Sequence, residues 1–136
     1  MTRAATELVL RSDPQEVPGL QYRLLTLCTE AGLDELGAFQ LTTAIVEAVN
    51  NCIEHAYGGE PGHQIWLRWL VGPERVVVEI RDTGRAMHPG EPQPGETIAD
   101  VDAVSGRGWH IIRQWTTTAV YKSDRDGNLL TLTRCL

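Results

Sequence analysis

Glu47-Ala48-Val49-Asn50-Asn51-Cys52-Ile53-Glu54-His55-Ala56-Tyr57 lies near the middle of a 136-residue chain, and its reading decides the fold. At about 100° per residue, Leu41, Ile45, Ala48, Val49, Cys52 and Ala56 gather on one side of a helix that Asp34 opens and Gly58-Gly59 ends. Glu47, Asn50, Asn51, Glu54 and His55 gather on the other. The apolar side packs on a sheet; the polar side is either a solvated face or the wall of a pocket. Composition favours the pocket. A wet face usually carries Lys, Glu, Gln and Arg, whereas Asn in a helix interior costs several tenths of a kcal/mol against Ala, and here two stand together. Glu47 and Asn51, four apart, share one face, with carboxylate and amide oxygens aimed at one point. Such hard oxygen ligands suit Mg²⁺, which completes its octahedron with water and phosphate.

Outward from this helix, the N-terminal side reads as a strand at 7–11, closed by Ser12-Asp13-Pro14, and a helix at 15–31 with Gly32 as its stop. On the C-terminal side, 65–71 and 75–81 are β-rich and joined by Gly72-Pro73-Glu74, a hairpin. Residues 83–105 lack periodicity and read as one long loop, a length that usually serves function. A helix at 109–115 follows, then strands at 116–123 and 129–135 around a turn at 124–128. The order β-α-α-β-β-loop-α-β-β predicts an α+β, two-layer sandwich: a mixed, mainly antiparallel sheet with its helices on one face. Trp66, Trp69, Trp109 and Trp115 read mostly as core.

Size and charge bound the function. Residues 1–136 suit one domain with its own core. No apolar run reaches membrane-spanning length and the first residues lack a signal-peptide stretch, so a cytoplasmic protein is expected. Twelve basic against eighteen acidic side chains give a net charge of −6. That balance disfavours nucleic acid and anionic membranes as partners. The only lysine is Lys122 and no Walker-type lysine motif occurs, which excludes a P-loop. Three widely spaced cysteines fit a reducing compartment rather than a disulfide framework. Cys52 and His55 have no second pair at zinc-like spacing.

Two more stretches carry chemistry. Asp82-Thr83-Gly84 ends an apolar strand: the carboxylate can accept from an exocyclic amine and Gly84 permits close ligand approach, though such a triplet also serves simply as a turn. Ser105-Gly106-Arg107-Gly108 opens a helix, where free N–H groups and the positive helix end form an anion site that Arg107 strengthens. Glycines also merely mark helix starts.

In register, the three stretches resemble the Bergerat-fold ATPases, the superfamily of gyrase, heat-shock chaperone, histidine kinase and mismatch-repair ATPases. The stretch from Glu47 to Tyr57 looks like the N-box, Asp82-Thr83-Gly84 the first glycine box and Gly106-Arg107-Gly108 the second. The separations agree, with 31 positions from Asn51 to Asp82 and 24 from Asp82 to Gly106. The wording of the first stretch is most similar to RsbW-type anti-sigma-factor serine kinases. The resemblance implies ATP and Mg²⁺ as cofactors, with Asn51 as metal ligand and Glu47 as general base. It further implies Asp82 and Gly84 at adenine, Ser105, Gly106, Arg107 and Gly108 at phosphate, and a lid at 85–105. It implies a serine/threonine protein kinase of a bacterial partner-switching system. Such a kinase phosphorylates an anti-sigma-factor antagonist of STAS type and sequesters a sigma factor or similar regulator; a homodimer is compatible with it. Two departures stand out. Ala86 replaces the second glycine of the first box, and Gly127-Asn128-Leu129 replaces a later Gly-Thr. They keep open an alternative, a nucleotide-dependent regulatory binding protein without kinase activity.

Overall fold

The computed structural model describes residues 4–87 and 108–136. The elements are β1 (Ala4–Arg11), a 3-10 turn (Pro14–Glu16), α1 (Val17–Glu30), α2 (Glu35–Asn51), a π-helical turn (Cys52–Ala56), β2 (Gln64–Val71), β3 (Arg75–Asp82), α3 (Gly108–Trp115), β4 (Thr118–Asp124) and β5 (Gly127–Cys135). The strands form a sheet in the order β1-β2-β3-β5-β4. Every pairing is antiparallel, so the parallel pairing that a mixed sheet would need is absent among these strands.

Alternation along the strands decides what faces the helices. Ile65, Leu67 and Trp69 on β2, Val76, Val78 and Ile80 on β3, and Leu130 and Leu132 on β5 are buried. They join Leu20, Leu24 and Cys28 of α1, Leu41, Ile45, Ala48 and Val49 of α2, and Trp109 and Ile112 of α3 in one core. Each large aliphatic side chain buried in this way contributes about 1.5–3 kcal/mol. Trp66 and Trp115 are only half-buried, because Trp66 lies on the outer file of β2 and Trp115 at the end of α3. The same alternation carries two polar residues inward. Asp82 continues the buried file of β3 and Asn128 that of β5, and the two are direct partners in the ladder.

Local chemistry explains the helix ends. Asp34 caps α2 by accepting from the Gly37 N–H at 2.7 Å, and Gly32, with φ of 95°, turns the chain after α1 as its position predicts. The helix expected to run unbroken to Tyr57 instead widens after Asn51. The Tyr57 N–H reaches back five residues to the Cys52 carbonyl at 2.9 Å, the signature of a π turn. The wider turn leaves the Ala56 carbonyl to accept from the Arg85 N–H at 2.8 Å. The last hairpin is tighter than its sequence indicates. Asp124 pairs directly with Gly127, leaving a two-residue loop in which Asp124 Oδ1 accepts from the Asp126 N–H at 2.7 Å.

Tyr57 ties the end of this helical segment to the end of β3. Its phenol accepts from the Thr83 N–H at 2.9 Å and donates to the Gln64 carbonyl at 2.6 Å. Tyr57→Phe removes both partners at once. It is expected to cost about 1–3 kcal/mol, seen as a lowered urea midpoint with an unchanged slope.

Candidate nucleotide site

Glu47 and Asn51 occupy successive turns at the C-terminal end of α2, where α3 packs alongside. Trp115, at the end of α3, meets Phe39 near the start of α2, with ring centroids 5.8 Å apart. Gly108, at the start of α3, faces Glu47 and Asn51: a Cβ there would lie 2.9 Å from Glu47 Oε2 and 3.5 Å from Asn51 Nδ2. The two helices therefore run antiparallel, and a glycine at 108 keeps their polar junction open.

Asn51 is only 4% exposed, and its Nδ2 has no hydrogen-bond partner among the described residues. Leaving such a group unsatisfied costs about 1–3 kcal/mol. An Nδ2 left without an internal partner is free to donate to a ligand. The Glu47 carboxyl beside it is pushed above the ordinary carboxylate range, first by burial and then by the charge of Glu54.

Cys52 links this junction to Asp82. Its thiol donates to Asp82 Oδ2 at 3.4 Å, and burial together with the neighbouring carboxylate pushes the thiol well upward, so it stays protonated. Asp82 itself is 2% exposed. Its Oδ1 accepts from the Gly84 N–H at 2.9 Å and from Asn128 Nδ2 at 2.7 Å. Tyr121 of β4 stands close by. Its hydroxyl accepts from the Met87 N–H at 2.9 Å, and its ring lies edge-on to Trp109 at 6.5 Å.

Glu47, Asn51 and Gly108 are thus brought together, and Asp82 joins them through Cys52. Gly84 has a role that the sequence reading did not foresee. A Cβ at 84 would fall on the Ala56 carbonyl, so the glycine serves the packing of this turn against the π turn. Ser105, Gly106 and Arg107 lie outside the described residues, as does residues 88–105 of the expected lid. A groove of about 500 Å³ crosses the outer face of the sheet beside Val9, Trp66 and Arg68, and none of the expected site residues lines it. Among the residues that sequence reasoning missed, Asn128 is central. The alternation of β5 points it inward, but its partner became visible only with the register.

A model of the histidine kinase-like ATPase domain matches residues 10–134. The chain belongs to this family. A serine-protein kinase RsbW of Listeria monocytogenes (serotype 4a) is 26% identical over 112 residues, covering 77% of this chain and 71% of the relative. An anti-sigma F factor of Oceanobacillus iheyensis is 35% identical over 52 residues, 38% of this chain and 34% of that protein. Serine-protein kinases and an anti-sigma factor are thus among the relatives of this ATPase-family chain. No helix among its described residues is long and apolar enough to cross a membrane.

Within this ATPase domain, Glu47 is also a stability probe. Because its carboxyl pKa is raised on folding, the folded protein holds that proton to higher pH than the unfolded chain. Its contribution is therefore fully present below the unfolded pKa and lost as pH rises through the folded one. Glu47→Gln is expected to raise the melting temperature at about pH 7.5 and to have lost that advantage near about pH 4, measured by thermal melts across the range. At the turn, Gly84→Ala is expected to destabilise by about 1–3 kcal/mol, because backbone rather than a flexible side chain must give way, measured by chemical denaturation.

Proposed function

We propose that this protein is a cytoplasmic, Mg²⁺-ATP-dependent protein serine/threonine kinase of a partner-switching system. Its substrate is a STAS-type anti-sigma-factor antagonist, and its second partner is a sigma factor or similar regulator that it sequesters. One observation carries the reading: a buried Asn51, whose Nδ2 has no partner among the described residues, stands beside Glu47 at a junction that Gly108 keeps open. A helix end built only for stability has no reason to leave that amide without a partner.

The residues present fit the two ligands. Asn51 would hold Mg²⁺ through its side-chain oxygen, and the ion would supply neutralisation of phosphate charge. Asp82 would accept from the adenine amine. Gly108, together with Ser105, Gly106 and Arg107, would bring backbone N–H groups and one guanidinium to the phosphates.

Glu47 then has one task. It accepts the proton of the substrate Ser or Thr hydroxyl as that oxygen forms its bond to the γ-phosphorus. The bond from γ-phosphorus to the bridging oxygen breaks, and ADP leaves with the electron pair. The upward displacement of the Glu47 pKa suits this, since a base is most effective when its pKa approaches the working pH. Phosphoryl transfer asks mainly for positioning and charge neutralisation, and one base, one amide ligand and a backbone cradle supply both.

Ala86 favours a second reading, in which nucleotide acts only as a conformational ligand of a regulatory binding protein. One assay separates the two. With labelled ATP, Mg²⁺ and a STAS-type antagonist, the wild-type protein is expected to transfer label to a Ser or Thr. Glu47→Ala is expected to lower that rate by at least about a hundredfold, with ATP affinity by calorimetry changed less than about threefold. ATP binding without transfer supports the second reading, and equal transfer by the variant refutes the role of Glu47.

A further inference from the structure

A carboxylate offers four lone-pair directions, two on each oxygen. At Asp82 both directions of Oδ1 are occupied, one by the Gly84 N–H and one by Asn128 Nδ2. Oδ2 receives the weak Cys52 thiol, which, among the described residues, leaves a single direction for a ligand. Asn128 is itself immobilised. The second hydrogen of its amide is shared between the Gly84 carbonyl at 3.0 Å and the Arg85 carbonyl at 3.2 Å, while its Oδ1 accepts from the Ser123 hydroxyl at 2.7 Å. With 2% of its surface exposed and Asp82 directly across the ladder, this amide has one orientation that satisfies every partner.

We infer that Asn128 is a positioning residue for base recognition, locking the Asp82 carboxylate so that it presents one acceptor, Oδ2, to one N–H donor of a purine 6-amino group. This rests on the nucleotide-binding reading above. A base without that amine leaves a buried carboxyl oxygen unmatched, and a site built around a hydrogen bond rejects the analogue lacking it more strongly than an apolar site does. Without Asn128, Oδ1 loses its fixed donor, the carboxylate can turn, and water or either base satisfies it equally well.

The experiment compares ATP with purine riboside triphosphate, which lacks the 6-amino group, by calorimetry on the full chain. Wild type is expected to prefer ATP by about tenfold to a hundredfold, and Asn128→Ala to reduce the preference to within about threefold. Asn128→Asp keeps the shape and supplies a readout that a purely structural role would not move. Its new carboxyl, beside that of Asp82, has a raised pKa because two adjacent carboxylates resist ionising together. Protonated, it donates to Asp82 as the amide does; ionised, it does not. The variant's preference for ATP is therefore expected to fall as pH rises from about 5 to about 8, while that of wild type stays flat. Among the described residues, Cys52 and Tyr121 also interact with Asp82; both are pushed upward and stay neutral over this range.

An Asn128→Ala protein that keeps the wild-type preference, or an Asn128→Asp protein whose preference is flat with pH, overturns the inference. Wild type that binds both nucleotides equally overturns it too and leaves the nucleotide reading standing. Wild type that binds neither removes that reading as well.

Discussion

A carboxylate held almost wholly out of water must be surrounded by donors, and Asp82 imposes that demand on the rest of the fold. Isolated, a buried ionised group is far too costly to persist. Here the donors come from three directions: the turn that follows it, the strand beside it and the helical segment above it. Meeting the demand brings β3, β5 and the π turn together at one end of the sheet. The end of α2 and the start of α3 gather over the same corner. The polar corner and the apolar core beneath it are therefore parts of one packing solution.

The π turn makes this compatible with a straight, well-packed α2. Up to Asn51 the helix keeps its regular period, so Leu41, Ile45, Ala48 and Val49 stay on the sheet. Beyond it, the wider turn frees the Ala56 carbonyl for Arg85 and sets Tyr57 against Thr83 and Gln64. Gly84 belongs to the same arrangement, since only a residue without a side chain lets the turn after β3 approach the Ala56 backbone so closely. A local departure from α geometry thus stands where recognition is expected, as π turns often do.

Much of this was legible in the chain. Apolar periodicity marked α1, α2 and α3, β-rich composition marked the strands, and the glycine-proline turn marked the hairpin between β2 and β3. Asn51 was legible as a candidate site residue because asparagine is a poor choice for a helix interior. Its burial, and the missing partner of its amide, were not. The two-residue loop before β5 was hidden because Asp124, Asn128 and Gly127 all read as turn formers, whereas cross-strand pairing draws them into the ladder. Asn128 was set aside as a departure from a resembled motif, while in three dimensions it is the residue that holds Asp82 in place.

By itself, the sequence determined the elements, their order and the side of each that would be apolar. Those properties depend on neighbours a few residues away, through the 3.6-residue and two-residue periods of helix and strand. It also placed Glu47 and Asn51 on one helical face for the same reason. Only the tertiary structure decided which distant polar groups would meet: Asp82 with Asn128, 46 positions apart, and with Cys52, 30 positions apart. Strand register and helix docking set those meetings. Both arise from the packing of the whole core, and no local period encodes them.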